Sequence, residues 1–351
     1  MKSGSTQFCR DCNRPIHKQT MIESPGSPSP RPSALFCLIL VGIASISCAS
    51  IFIRLADAPA LSIAAYRVTL ATLILAPFYA RGRKPGSIEW NRKVFFTTVL
   101  SGIFLALHFS LWIYSLQMTS VASAATLCNS TPLFAALFSV LWLKETLSHR
   151  LKLGILFTLA GSVFVAGTDF SLSTRAVWGD LLAVGGAVMA AGYFISGRIA
   201  RCSLRLPAYT VVSYGTAAVL LIPACTLFGA ELSGFSEKTY LFLVLLAVVP
   251  QVVGHTTFNW TLKFIPPTTV SVLILGEPIG ATILAYFVFD ETISLRKGVG
   301  LFILAAGILL SAGTVPGDGE SARTDPKGSE ERFEGPALCD SVQVDSRTEK
   351  R

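Results

Sequence analysis

Fifty consecutive residues, 94–143, contain no Asp, Glu, Lys or Arg. A soluble domain cannot accommodate so long an uncharged run, because about a quarter of its residues are charged and cover its wet surface. Here 14% of the chain is charged and 52% is hydrophobic. The deficit is local: residues 34–313 hold 28 charges in 280 positions, while the other 71 residues hold 22. This excludes a soluble globular enzyme and equally a disordered or fibrous chain. It leaves a polytopic membrane protein.

Ten apolar segments stand at about 34–53, 61–80, 94–114, 119–143, 153–168, 176–197, 207–229, 239–260, 267–289 and 297–315. Each is near the roughly 20 residues that cross the hydrocarbon layer as a helix. Helices are expected because backbone groups in lipid must pair within their own segment. The net charge of +8 does not indicate nucleic acid, since the basic residues sit in short clusters between apolar runs. With the N-terminus in the cytoplasm, 23 of the 29 Lys and Arg fall on that side, 5 on the other, and Arg67 within a span. Without the two termini the split is still 12 to 5, so both termini are expected in the cytoplasm of an integral plasma (inner) membrane protein. Residues 1–33 are polar, with Pro25, Pro28, Pro30 and Pro32, and are expected to be disordered with no cleavable signal. The tail, 316–351, has no apolar run and is also expected to be disordered.

The halves superpose on a shift of 146 residues. Residues 121–167 against 267–313 give 12 identities in 47 positions without a gap, where composition alone would yield about four. Pro132 pairs with Pro278, Glu145 with Glu291, Thr146 with Thr292, Ser148 with Ser294, and Gly154, Gly161 and Gly167 with Gly300, Gly307 and Gly313. Upstream, Tyr114 falls on Trp260, Leu116 on Leu262 and Pro77 on Pro223; a two-residue gap sets Arg54 on Arg198. A unit with an odd number of crossings leaves its copy starting on the opposite side, so the expected fold is all-α, ten transmembrane helices as two inverted five-helix repeats, 34–168 and 176–315. Inverted repeats characterise transporters, whose halves open in turn to either side of a central site.

The segment TSVASAATLCNSTPLFAALFSVLWLKETLSHRLKLGILFTLAGSVFVAG resembles the EamA domain of the drug/metabolite transporter superfamily. So does its second copy, TTVSVLILGEPIGATILAYFVFDETISLRKGVGLFILAAGILLSAG, with Glu-Pro in the ninth helix. The resemblance spans about residues 34–313. It implies a ten-helix carrier that exports amino acids or related metabolites; nucleotide-sugar and sugar-phosphate carriers share the superfamily.

Glu277 is the foremost candidate for substrate binding or coupling. It lies mid-span, with 13 uncharged residues before it and 12 after. A carboxylate there costs about 2.5–3.5 kcal/mol unless paired, protonated or hydrated. It suggests proton coupling or a counter-charge for a substrate amine. Arg67, about two turns into the second span, either binds a substrate carboxylate, pairs with Glu277, or snorkels to the nearer interface. It resembles the Arg common in the second helix of the family. His108 and His255 lie at similar depths one residue out of register, each followed by a Trp (Trp112, Trp260). They are proton carriers, substrate donors or satisfied packing residues. With Asn259, Gln251, Asn129, Tyr66 and Tyr114 they could line a polar cavity in an apolar shell. Pro132 and Pro278 are expected to break the fourth and ninth helices, freeing the carbonyls of Cys128 and Ile274. Glu145 and Glu291 end those helices and are expected to pair with cations such as Arg150 and Arg296.

Cys9-x-x-Cys12 with His17 is half a metal site without its second half, so no metal or cofactor is expected. A membrane-embedded enzyme would need a catalytic set, yet there is no His-Glu-x-x-His and no Gly-x-Ser-x-Gly. No Gly-x-x-x-x-Gly-Lys-Ser/Thr loop supports an ATP-driven pump. A channel remains as an alternative that predicts no saturable flux. The expected partners are a small-molecule substrate, protons and the lipid bilayer, with no nucleic acid.

Overall fold

A computed structural model describes residues 31–81, 90–119, 121–166, 173–290 and 293–313. Among them there is no strand, and nine helical segments are long and apolar enough to cross a membrane. The elements are α1 (Pro32–Leu55), α2 (Ala60–Arg81), α3 (Arg92–Met118), α4 (Val121–Cys128), α5 (Thr131–Phe138), α6 (His149–Ala166), α7 (Thr174–Ser203), α8 (Leu206–Leu227), α9 (Glu237–Leu246), α10 (Thr256–Thr261), α11 (Pro267–Ile274), α12 (Glu277–Phe289) and α13 (Leu295–Ala312). A π-helical turn, Ser139–Leu143, extends α5, and a longer π-helical stretch, Ala247–His255, joins α9 to α10. The fifth apolar segment of the sequence is α6, 18 residues opening on His149 and Arg150. The Cys9, Cys12 and His17 motif, the C-terminal tail, Gly167, Glu291 and Thr292 lie outside the described residues.

The helix ends follow from local chemistry. Side chains of Asn91, Ser173, Ser236 and Ser294 accept from the amide three residues on, which caps α3, α7, α9 and α13. Pro occupies the first turn of α1, α5, α8, α11 and α12, where no helical donor is lost. The fourth and ninth spans both end on a left-handed residue with φ 54°, Lys144 and Asp290, which are repeat mates.

Repeat mates run antiparallel. Along α6 and α13, Gly154 faces Gly307 and Ser311, while Gly161 faces Gly300 and Leu304. A Cβ on Gly154 would lie 2.8 Å from the Gly307 carbonyl oxygen, so the crossing requires glycine for this approach. Between α2 and α8, Thr72 meets Gly215, and Ser62 donates to the Glu231 carbonyl just beyond α8. The copies also interlock by exchange. The third span packs on the sixth, with Phe104 against Gly192 and Trp112 against Gly186, and the eighth packs on the first, with Phe258 against Gly42 and Ile46 against Gly254. This is the contact pattern of a pseudo-two-fold axis lying across the helices.

The interior is packed from both copies, with Val68, Leu105, Tyr214, Leu221, Phe258 and Leu262 all at most 1% exposed. The outside is apolar as well: Phe287 and Phe302 are 73% and 76% exposed. An apolar exterior is stable only against lipid.

Candidate functional site

The fourth and ninth spans are broken at matching positions. α4 stops at Cys128 and α5 starts at Thr131; 146 residues later α11 stops at Ile274 and α12 starts at Glu277. Pro132 and Pro278 stand second in the new helices, as their missing amides require. The turns between are tight in both copies: Ser130 N donates to Leu127 O and Gly276 N to Leu273 O. Across 128–132 and 274–278 only the proline recurs, and the exchange that changes the chemistry most is Thr131 for Glu277. Thr131 returns its hydroxyl to the freed Cys128 carbonyl at 2.7 Å, whereas its mate is Glu277, whose carboxylate enters the first turn of α12. The partial positive charge of a helix N-terminus favours a carboxylate there. α11 lies against α5, with Thr268 Oγ1 donating to Ser139 Oγ at 3.1 Å and Val272 clustered with Ala136, which brings the two breaks side by side.

Arg67 is the centre of the buried polar cluster. It is 5% exposed, donates from Nε to Gln251 Oε1 at 2.6 Å, and lies 5.1 Å over the Phe109 ring as a cation–π contact. It therefore does not snorkel. Glu277 and Arg67 attract each other without an ion-pair contact between them. His108 and His255 flank Phe109 at centroid distances of 5.3 and 6.4 Å. Their one-residue offset in sequence is absorbed by the π-helical Ala247–His255, which adds a residue to the turn. His108 bonds the Gly186 carbonyl through Nδ1 at 2.9 Å and stacks on Trp112, while His255 Nδ1 is buried without a partner. A cavity of about 40 Å³, room for a few waters, is lined by Arg67, Phe109 and Trp112 together with Ile53, Ile63 and Ile113.

Asn259 belongs to a second, satisfied network. Tyr193 O–H donates to Asn259 Oδ1 at 2.8 Å, Asn259 Nδ2 donates to Tyr214 Oη at 2.9 Å, and Tyr214 Oη lies 3.3 Å from Thr256 Oγ1. Tyr209 and Ser101 bond at 2.7 Å alongside. Tyr209, Tyr214 and Asn259 are the repeat mates of Ile63, Val68 and Ile113, so one half presents apolar walls where the other presents bonded polar groups. Phe109 and these tyrosines escaped the sequence analysis; the polar-for-apolar exchanges between copies are the signal that marks them.

Three expected residues stand apart. Tyr66 donates to the Leu232 carbonyl at 2.6 Å and packs on Phe235 and Tyr240. Asn129 Nδ2 reaches Ser162 Oγ on α6 at 3.4 Å, and Trp260 packs on Phe264 with centroids 4.8 Å apart. The cation acting on Glu145 is Arg198, not Arg150. Arg198 is carried by α7 to the end of α10, where it donates to the Leu262 carbonyl. Burial pushes the Glu145 carboxyl up, against the opposing pull of Arg198 and of a Ser139 hydrogen bond. Among the described residues no three His, Cys, Asp or Glu side chains gather as metal ligands.

The sequence profile described as the EamA-like transporter family matches residues 32–167 and again 177–313. The chain belongs to the EamA-like transporter family. An uncharacterized transporter of Archaeoglobus fulgidus is 26% identical over 256 residues, 71% of this chain and 86% of the relative. The pseudopaline exporter CntI of Pseudomonas aeruginosa is 27% identical over 167 residues, 48% of this chain and 56% of the exporter. A crystal structure at 20% identity superposes with a TM-score of 0.70, covering 82% of this chain and 98% of that one. This EamA-family chain is thus a multi-pass membrane transporter of a small-molecule substrate.

Proposed function

We propose that the chain is a secondary active carrier that exports small polar metabolites, amino acids among them, across the plasma membrane by alternating access. In this reading it crosses the membrane ten times, as five-helix repeats 34–168 and 176–315, with both termini in the cytoplasm. The observation that carries it is the pair of matching helix breaks, at Cys128–Thr131 and Ile274–Glu277, in antiparallel repeat mates beside the buried Arg67 cluster. Two such halves reach opposite-facing states by exchanging their conformations around a fixed centre. Glu277 serves as the coupling carboxylate, taking a proton when the substrate leaves. The similarity to a pseudopaline exporter favours the outward direction, and the Lys and Arg distribution favours cytoplasmic termini.

The test is uptake and counterflow in proteoliposomes, screening amino acids, nucleotide sugars and sugar phosphates. Saturable flux is expected, and flux in the Glu277→Gln variant should lose its dependence on pH. Unchanged pH dependence would remove Glu277 from coupling; the absence of saturable flux for every solute would overturn carriage itself.

A further inference from the structure

The two ends of the bundle are built differently from mate positions. Towards the Glu145 face, Ser101, Tyr193, Tyr209 and Asn259 come from α3, α7, α8 and α10 and are at most 2% exposed. Tyr209 bonds Ser101 at 2.7 Å and lies on Gly197, while Tyr193 donates to Asn259 Oδ1 at 2.8 Å. Arg201 donates from Nε to the Asn259 carbonyl at 3.1 Å, which fixes the end of α7 on α10. The 146-residue shift sets Tyr209, Asn259 and Ser101 on Ile63, Ile113 and Ala247, and the gapped shift sets Tyr193 and Gly197 on Ala49 and Ile53. All four bonded side chains thus have apolar mates towards the Arg54 face. There Ile53, Ile63 and Ile113 leave the cavity of about 40 Å³ between them, whereas their mates are filled and bonded. The fourth and ninth spans repeat this asymmetry. Towards the Glu145 face α5 lies against α11. Among the described residues their mates, α12 and α4, are not packed together: α12 lies on α1, with Gly280 against Ser47, and α4 on α6, with Thr126 donating to the Ser162 carbonyl at 3.3 Å.

We propose that the Tyr193–Asn259 and Tyr209–Ser101 pairs are the shut gate of the transport pathway at the Glu145 face, and that Ile63 and Ile113 close the opposite face by apolar contact alone. This rests on the transport reading and assigns its two gates. In the orientation above, the bonded gate is the cytoplasmic one. Inverted halves open one face by adopting each other's conformation, so the groups that seal one end stand where the other end parts. Opening the Glu145 face wets the tyrosine hydroxyls and the Asn259 carboxamide, and water replaces the partners they lose. The bonded gate is therefore sensitive to the loss of one partner. A group orphaned in the shut gate is unsatisfied there and hydrated once the gate opens, so the balance moves to the open form. Removing all the partners together removes the orphans and returns the balance.

The experiment measures alkylation of single introduced cysteines by a water-soluble maleimide in the full chain in nanodiscs, where both faces meet solvent. Ala64→Cys reports the apolar gate, whose cavity Ala64 lines. Thr210→Cys reports the mate position beside Tyr209, which is 0% exposed. Peptide mass spectrometry separates both from the native cysteines, and each rate is divided by that of the unfolded chain. Ala64→Cys is expected to react at least about tenfold faster than Thr210→Cys, a comparison that needs no gate variant to fold. Adding Asn259→Leu should speed Thr210→Cys about tenfold and slow Ala64→Cys, because one face shuts as the other opens. The triple variant Tyr193→Phe, Asn259→Leu, Tyr214→Phe should return both rates towards those of the parent. Thr210→Cys reacting as fast as Ala64→Cys, no acceleration by Asn259→Leu, acceleration of both positions as in unfolding, or a triple variant as fast as the single would overturn the gate. Saturable liposome flux alongside any of these failures would leave carriage standing and sink the gate alone. Absence of flux for every solute would sink carriage and the gate with it.

Discussion

Asn259 offers the sharpest test of how the buried network holds the bundle together. Its side chain is fully buried and bonded at both ends, to Tyr193 at 2.8 Å and Tyr214 at 2.9 Å. Asn259→Leu keeps the heavy-atom count and branching but deprives the Tyr193 hydroxyl of this acceptor and leaves Tyr214 with Thr256 at 3.3 Å. Interhelical hydrogen bonds in membrane proteins average only about 0.6 kcal/mol, whereas an orphaned buried polar group costs about 1–3 kcal/mol. The second term governs here, because Tyr193 and Tyr214 are 2% and 0% exposed and have no water to turn to. A loss of about 2 kcal/mol is expected, read from reversible unfolding in mixed micelles by circular dichroism. The triple variant Tyr193→Phe, Asn259→Leu, Tyr214→Phe should regain most of it, since removing all the partners removes the orphans. A single variant within about 0.5 kcal/mol of the parent, or a triple variant markedly less stable than the single, would refute this account.

The same unfolding assay checks four further expectations. Gly307→Ala places a Cβ 2.7 Å from Gly154 O and Thr158 N and should cost about 1–3 kcal/mol. Gly298→Ala meets nothing within 4 Å in the same helix and should gain up to about 1 kcal/mol. Lys144→Gly relieves a left-handed residue at φ 54° and should gain about 1 kcal/mol, which Lys144→Ala should not. Burial raises the Glu145 carboxyl above its ordinary value. Its contribution is then fully present below the ordinary Glu range and lost as pH rises through the raised value, a slope that Glu145→Gln should flatten.

The membrane class, the helical segments, the doubled unit and the breaks at Pro132 and Pro278 could all be read along the chain. Each depends on neighbours close in sequence: apolar runs long enough to span lipid, a proline without its amide, a self-match at a fixed shift. Even inversion followed from counting crossings. Which polar groups meet could not be read that way, because it depends on how helices from different copies are turned against each other. Arg67 was expected on a substrate carboxylate, against Glu277 or at the lipid interface, and packing placed it on Gln251 and Phe109. Tyr66 and Asn129, polar and within apolar spans like their fellow candidates, were turned toward Leu232 and Ser162. Glu145 found Arg198 through the crossing of α7 with the eighth span, 53 residues away in sequence, rather than Arg150 five residues on. In lipid the hydrophobic effect does not distinguish one apolar face from another, so helix rotation is set by close glycine contacts and buried hydrogen bonds between distant segments.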